Sequence, residues 1–206
     1  MAEGLTLYSN PGSGNCYKVR LLLHQLGHPF SCVDIDVTKG ETRTPEFLKI
    51  NPAGKVPALD LGDGRTLSES NAIMLYFADG TQYLPDDPFD LAKAHQWLFW
   101  EQYSHEPCIA VARYWMHYLG QTEAEAPRLP ELWEKGRAAL GVMEDHLAKT
   151  DFFAAGRYTI ADIALYAYTH VAHQGGFDLG PYPAVRAWTG RVAAQPRHIT
   201  IDDVAW

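Results

Sequence analysis

The sequence predicts an α/β domain over roughly the first 80 residues and an all-helical domain after it. Three observations carry that expectation. Leu5 to Val37 reads as strand, helix, strand, a βαβ unit whose two strands should run parallel. Val56 to Leu61 and Arg65 to Leu67 flank Gly62-Asp63-Gly64, the chemistry of a hairpin turn. Beyond Gly80 no convincing strand follows, and Pro85-Asp86-Asp87-Pro88 reads as a linker, so the two domains are expected at residues 1–81 and 88–206.

The first strand, Leu5 to Tyr8, is broken by Asn10, Pro11, Gly12 and Gly14. A helix follows, with Cys16, Val19, Leu22, Leu23 and Leu26 on one face and Lys18, Arg20 and Gln25 largely on the other. Ser13 therefore stands in a turn between a buried strand and a helix N-terminus, where free N–H groups and the helix dipole favour an anion. Three readings of this turn compete. Gly12-Ser13-Gly14, with Asp34 and Asp36 near the ribose-binding offset, begins a dinucleotide pattern, but Tyr17 occupies the third glycine position. Ser13-Gly14-Asn15-Cys16 is also a C-x-x-C redox turn with its first sulfur replaced by a hydroxyl; it cannot form its own disulfide but could hold another molecule's thiolate. The local evidence alone favours the third, a simple helix cap.

Gly27-His28-Pro29 ends the helix, and Phe30 to Val37 alternates Val33, Ile35 and Val37 with Asp34 and Asp36, a strand with one wet face. Thr44-Pro45-Glu46 starts a short helix that can bury Phe47, Leu48 and Ile50. Pro57 at a strand entrance fits either a cis bond, which would present Val56 backbone groups to a ligand, or a trans proline opening an edge strand. Leu67 to Ile73 opens a further helix ending near Gly80. Ser68 or Ser70 could simply cap it. Alternatively Glu69 and Ser70 face the same cleft as Ser13 and suit the ammonium and carboxylate of an amino acid.

In the second half, Phe89 to Leu119 reads as one long helix bent near Pro107, loaded with aromatics that are core or interface by default. A loop at Pro127 to Pro130 precedes a helix from about Glu131 to Lys149. Thr159-Ile160-Ala161-Asp162 is a capping-box variant opening a mostly apolar helix. Pro183 opens the last helix through Trp188 to Ala194, and Arg197 to Trp206 reads as a tail packed on the surface.

Composition narrows the function classes. With 47% hydrophobic and 20% charged residues, nothing suggests disorder. A net charge of −8 argues against nucleic acid and against anionic membranes. No apolar run approaches the ~18 residues of a membrane span, and MAEGLTLYS lacks the regions of a signal peptide. Three widely spaced cysteines, Cys16, Cys32 and Cys108, suit a reducing compartment, so a cytoplasmic location is expected.

The ordered set of a strand, a serine turn, a helix, then N-P-A-G-K-V-P-A-L, S-E-S-N-A-I and, in an all-α half, T-I-A-D-I-A resembles the cytosolic glutathione S-transferases over nearly the whole chain. The resemblance implies a thioredoxin-like amino-terminal domain that binds glutathione and a helical domain supplying most of the acceptor pocket. It implies that Ser13 is the catalytic hydroxyl of a serine-type enzyme, with Tyr8 as the fallback, and that Asn15 assists. Val56 and Pro57 would meet the cysteinyl part of glutathione and Lys55 its glycyl end. Glu69 and Ser70 would grip the γ-glutamyl ammonium and carboxylate. Thr159 and Asp162 are assigned to folding, and Cys16 to a helix face. Tyr103, Arg113, Tyr114 and Phe177 are the candidates for the acceptor pocket, Arg113 either meeting an anion or making a surface salt bridge. Glutathione is then a co-substrate rather than a cofactor, no metal is expected, and the partners are a small electrophile and a second copy of the chain. A glutathione-dependent disulfide or peroxide reductase and a non-enzymatic binding module are the alternatives.

Overall fold

In the computed structural model, residues 4–203 are described; residues 1–3 and 204–206, the start of the amino-terminal stretch and the end of the carboxy-terminal tail read above, lie outside the described residues. Two compact units emerge, one taking in the chain up to Thr81 together with the segment from Pro196, the other running Gln82–Gln195.

The first unit is built on β1 (Leu5–Ser9), α1 (Gly14–Leu26), β2 (Phe30–Asp34), α2 (Pro45–Ile50), β3 (Ala58–Asp60), β4 (Thr66–Ser68) and α3 (Ser70–Ala78). The strands form a mixed four-stranded sheet in the order β2-β1-β3-β4, with β1 parallel to β2 and β3 antiparallel to both β1 and β4. Leu7 and Leu59 from the sheet, Val19 and Leu23 from α1 and Ile73 from α3 make the core, so both long helices bury an apolar stripe on the sheet. The antiparallel β1–β3 pair removes the dinucleotide reading, which needs a parallel sheet doubly wound with helices. Among the described residues, no helix is long and apolar enough to cross a membrane.

Two expectations for this unit are corrected. The second strand stops at Asp34, not Val37, because the Asp36 carboxylate accepts the N–H groups of Thr38 (2.9 Å) and Lys39 (3.3 Å) and winds Val37–Lys39 into a 3-10 turn. Nor is the polar face of α1 wet, since Lys18 and Arg20 are buried. The carboxy-terminal segment covers part of that face. The Tyr17 hydroxyl donates to Ile199 O (2.7 Å), Arg20 Nη2 to Ile201 O (2.8 Å) and Gln25 Nε2 to Pro196 O (3.4 Å), with Ile199 and Ile201 themselves buried. What reads as a surface tail is a strap along α1.

In the second unit, α4 (Pro88–Trp100) begins under an Asp87 cap, widens into a π-type turn over Glu101–His105 and resumes as α5 (Glu106–Arg113), before widening again over Tyr114–Tyr118. The first widening lies just upstream of Pro107, which has no N–H to give and whose ring crowds the carbonyl four residues back. The remaining helices are α6 (Leu129–Leu147), α7 (Ile160–Thr169) and α8 (Pro183–Ala193). At the start of α7 the capping box is formed: Ala161 N–H donates to Thr159 Oγ1 (3.3 Å) and Thr159 N–H to Asp162 Oδ2 (2.9 Å). Asp162 is fully buried and also accepts from Phe153 N–H (3.1 Å) and Trp188 Nε1–H (2.9 Å), tying α7 to α8. Burial pushes its carboxyl up to about 6 in spite of these donors.

Candidate functional site

Strand register decides which turns meet. Tyr8 pairs with Ala58, and Ala58 pairs with Ser68, so the end of β1, the start of β3 and the end of β4 lie side by side. The turn after β1, the loop before β3 and the turn after β4 therefore leave the sheet at one edge. These turns contain Ser13, Val56-Pro57 and Glu69-Ser70.

The first turn is closed by Ser13 N–H donating to Asn10 O (3.0 Å). Ser13 keeps an extended backbone, and its Oγ accepts the Cys16 N–H (3.3 Å), so the expected cap is formed. Accepting that bond leaves the hydroxyl proton for an outside acceptor, and the side chain is half-buried. Cys16 is fully buried, accepts a bond from Asn10 N–H at Sγ (3.4 Å), and burial pushes its thiol up, as expected for a helix-face cysteine rather than a nucleophile. Tyr8 is half-buried, edge-on to Phe47.

The loop before β3 is shaped by buried Asn51, whose Nδ2 donates to Lys55 O (2.7 Å) and whose Oδ1 accepts from Ala53 N–H (3.1 Å). Lys55 is exposed and Val56 half-buried, and the Val56–Pro57 bond is cis, one of the two options the sequence left open. After β4 the chain turns through Glu69 at φ 68°, a left-handed conformation that an acidic residue seldom adopts. Glu69 is exposed and makes no side-chain cap bond to α3. Ser70 is buried, and its Oγ donates to Asn15 Oδ1 (3.3 Å), which joins the first turn of α1 to the first turn of α3.

Neither helix carries an acidic side chain in its first turn, so the two positive helix ends stand together, with the Glu69 carboxylate at the N-cap of α3. Such an arrangement suits a ligand with more than one negative group. Sequence reasoning missed two supports of the site, Asn51 and Arg20. Arg20 Nη2 donates to Pro11 O (2.9 Å) and Nη1 lies 3.5 Å from Ser9 Oγ, beneath the Ser13 turn. No local pattern announces it.

In the helical unit, Tyr103 is 88% exposed and borders an apolar groove of about 460 Å³ with Trp100, Cys108 and Val142. Tyr114 is part-exposed. Arg113 is buried rather than at the surface: its Nε donates to Gln174 Oε1 (2.6 Å) and its guanidinium lies 5.1 Å from the Tyr118 ring centre. Phe177 is buried with its ring edge over Gly136, where an added Cβ would fall 2.4 Å away.

Comparison with known proteins agrees with this architecture. Residues 3–79 match the amino-terminal domain model of glutathione S-transferase and residues 123–191 its carboxy-terminal domain model. The disulfide-bond oxidoreductase YfcG of Escherichia coli is 30% identical over 93% of this chain and 91% of its own. The transcriptional regulator URE2 of Saccharomyces cerevisiae is 28% identical over 94% of this chain and 66% of its own. Among solved structures, a glutathione S-transferase from Pseudomonas fluorescens superposes with a TM-score of 0.95 at 48% identity, covering 98% of this chain and all of the other. Ure2p in complex with glutathione superposes with a TM-score of 0.85 at 29% identity, covering 98% of this chain and 95% of the other. With both halves matched in order on a common fold, the chain belongs to the glutathione S-transferase family.

Proposed function

We propose that the protein is a glutathione transferase that binds glutathione along the edge where the three turns meet and activates its thiol as a thiolate. The observation that carries this reading is the Ser70–Asn15 hydrogen bond, because it joins the start of α3, the segment proposed to take an amino-acid head group, to the helix that the Ser13 turn opens. Ser13 is the catalytic hydroxyl, donating its proton to the sulfur while Oγ keeps the Cys16 N–H. Asn15 assists. Val56 and Pro57 take the cysteinyl backbone and Lys55 the glycyl carboxylate. Glu69 takes the γ-glutamyl ammonium, and Ser70, through the N–H groups opening α3, takes the adjoining carboxylate. Complexes of Ure2p with glutathione support the choice of ligand.

The energetics suffice without a general base. Moving a thiol from ~8.5 to ~6.5 needs roughly 2.7 kcal/mol of preference for the thiolate. A hydrogen bond to a charged group contributes ~1.5–3 kcal/mol, and a helix N-terminus ~0.3–1 kcal/mol. The thiol proton leaves to solvent, the sulfur lone pair forms a carbon–sulfur bond, and the electrophile's leaving group departs with its bonding pair. The helical unit supplies the acceptor surface, with Tyr103 and Tyr114 exposed and Arg113 and Phe177 buried. A cytoplasmic homodimer acting in detoxification fits this reading.

A second reading is favoured by the likeness to YfcG: the same thiolate attacks sulfur in a disulfide, forming a mixed disulfide and expelling a thiolate. Calorimetric titration with glutathione, followed by parallel turnover of an aryl halide and of a glutathione mixed disulfide, separates them. Glutathione binding with faster aryl-halide turnover is expected. Faster disulfide turnover selects the second reading, and binding without either turnover, or no binding at all, refutes both enzymatic readings and leaves a non-enzymatic module.

A further inference from the structure

We infer that Arg20 is a positioning residue for the Ser13 turn, a buried cation that clamps the turn to the carboxy-terminal strap and so holds the thiolate site in place; this rests on the glutathione reading above. A single nitrogen, Nη2, donates both to Pro11 O in the turn (2.9 Å) and to Ile201 O in the strap (2.8 Å). Nη1 adds the longer contact to Ser9 Oγ at the end of β1. The side chain is 1% exposed, and its Nε–H has no acceptor among the described residues.

A guanidinium stays charged in such a place, and burying it without a counter-charge is costly. Of the groups that face it, Cys16 and Cys32 are kept as neutral thiols by burial, Cys32 pushed up to about 11, and Tyr17 is a phenol whose O–H is spent on Ile199 O. Asp34, at the end of β2, makes no ion pair with Arg20 among the described residues. The positive charge under the turn is thus left for an anion bound above it. The clamp also fixes the carbonyl two residues before Ser13, and with it the direction of the Ser13 hydroxyl.

Two variants in the full chain test this. In Arg20→Lys the charge remains, but the ammonium ends one bond short of Nη2 and cannot reach both carbonyls. Arg20→Gln keeps N–H donors and drops the charge. For Arg20→Gln, the thiol pKa of bound glutathione, read from thiolate absorbance, should rise by about one unit, with kcat at neutral pH down about threefold, restored at higher pH, and KM for glutathione changed less than about twofold. Arg20→Lys should show a smaller pKa rise with kcat still reduced. Folded variants that keep the wild-type thiol pKa and kcat overturn the inference, as does a lower melting temperature with both parameters unchanged. Failure of the wild-type protein to bind glutathione sinks the functional reading instead, and is seen before any variant is measured.

Discussion

Ser13→Ala removes one oxygen that holds two positions at once. As a cap, Oγ accepts the Cys16 N–H at 3.3 Å, and losing an N-cap costs ~0.5–2 kcal/mol. For a protein of this size each kcal/mol lowers the melting temperature by about 2–4 °C, so a drop of a few degrees is expected. As the thiolate's donor, the hydroxyl contributes ~1.5–3 kcal/mol, and at ~1.36 kcal/mol per unit its loss raises the bound thiol's pKa by about one to two units. Turnover at pH below the wild-type complex's thiol pKa should then fall about ten- to hundredfold, the gap closing as pH rises through the new pKa. The two roles come apart in Ser13→Asp, because aspartate caps well and opposes a neighbouring thiolate. Its melting temperature should return to the wild-type value or above while its thiol pKa exceeds that of Ser13→Ala. Ultraviolet titration of the bound thiol, steady-state rates across pH and thermal melts read all of this. If Ser13→Ala melts lower but titrates and turns over as the wild type does, Ser13 is a cap and nothing more.

Ser70→Ala should weaken glutathione binding about fivefold, the ~1 kcal/mol worth of the lost bond to Asn15 that holds the α3 N–H groups beside the Ser13 turn, with kcat little changed; titration calorimetry and the KM-against-kcat split report it. Glu69→Gly should melt at or above the wild-type temperature, since glycine accepts φ 68° without the ~1–3 kcal/mol strain of a longer side chain, yet bind glutathione at least about tenfold more weakly. A clear drop in its melting point refutes the strain. Asp162 has its carboxyl raised in the native state, so the stability it contributes is fully present at pH below its ordinary value of 3.8 and is lost as pH rises through about 6. Asp162→Asn, neutral throughout, should therefore be most destabilised relative to the wild type in acid and gain on it by on the order of 3 kcal/mol across that window. Denaturant melts at a series of pH values measure the difference, and a constant gap refutes the raised carboxyl.

The features legible in the sequence are those written by adjacent residues. Thr44-Pro45 starts α2, Gly62-Asp63-Gly64 turns a hairpin between β3 and β4, and Thr159 with Asp162 closes the cap of α7, because each device needs only its own few residues. The position of Ser13 at the start of α1 was readable for the same reason. The fate of Lys18 and Arg20 was not. Helical periodicity assigns them outward, and part of what covers that face comes from a segment some 180 residues away in the chain. The end of β2 was misjudged because an alternating pattern continues past Asp34, while the Asp36 side chain competes for the backbone. Glu69's backbone had no sequence signal at all, since glycine or asparagine would be the usual marker of that conformation.

The strap along α1 changes what counts as a self-sufficient piece of this protein. Cutting the chain at Thr81 would keep every strand of the sheet yet strip the acceptors from the Tyr17 hydroxyl and from one arm of Arg20. An excised amino-terminal fragment would expose an apolar, donor-rich flank, and adding residues 196–203 back as a separate peptide should knit it. The chain up to Thr81 and the segment from Pro196 are a single folding unit interrupted by Gln82–Gln195, and synthesis must pass Ile201 before the amino-terminal unit has these partners.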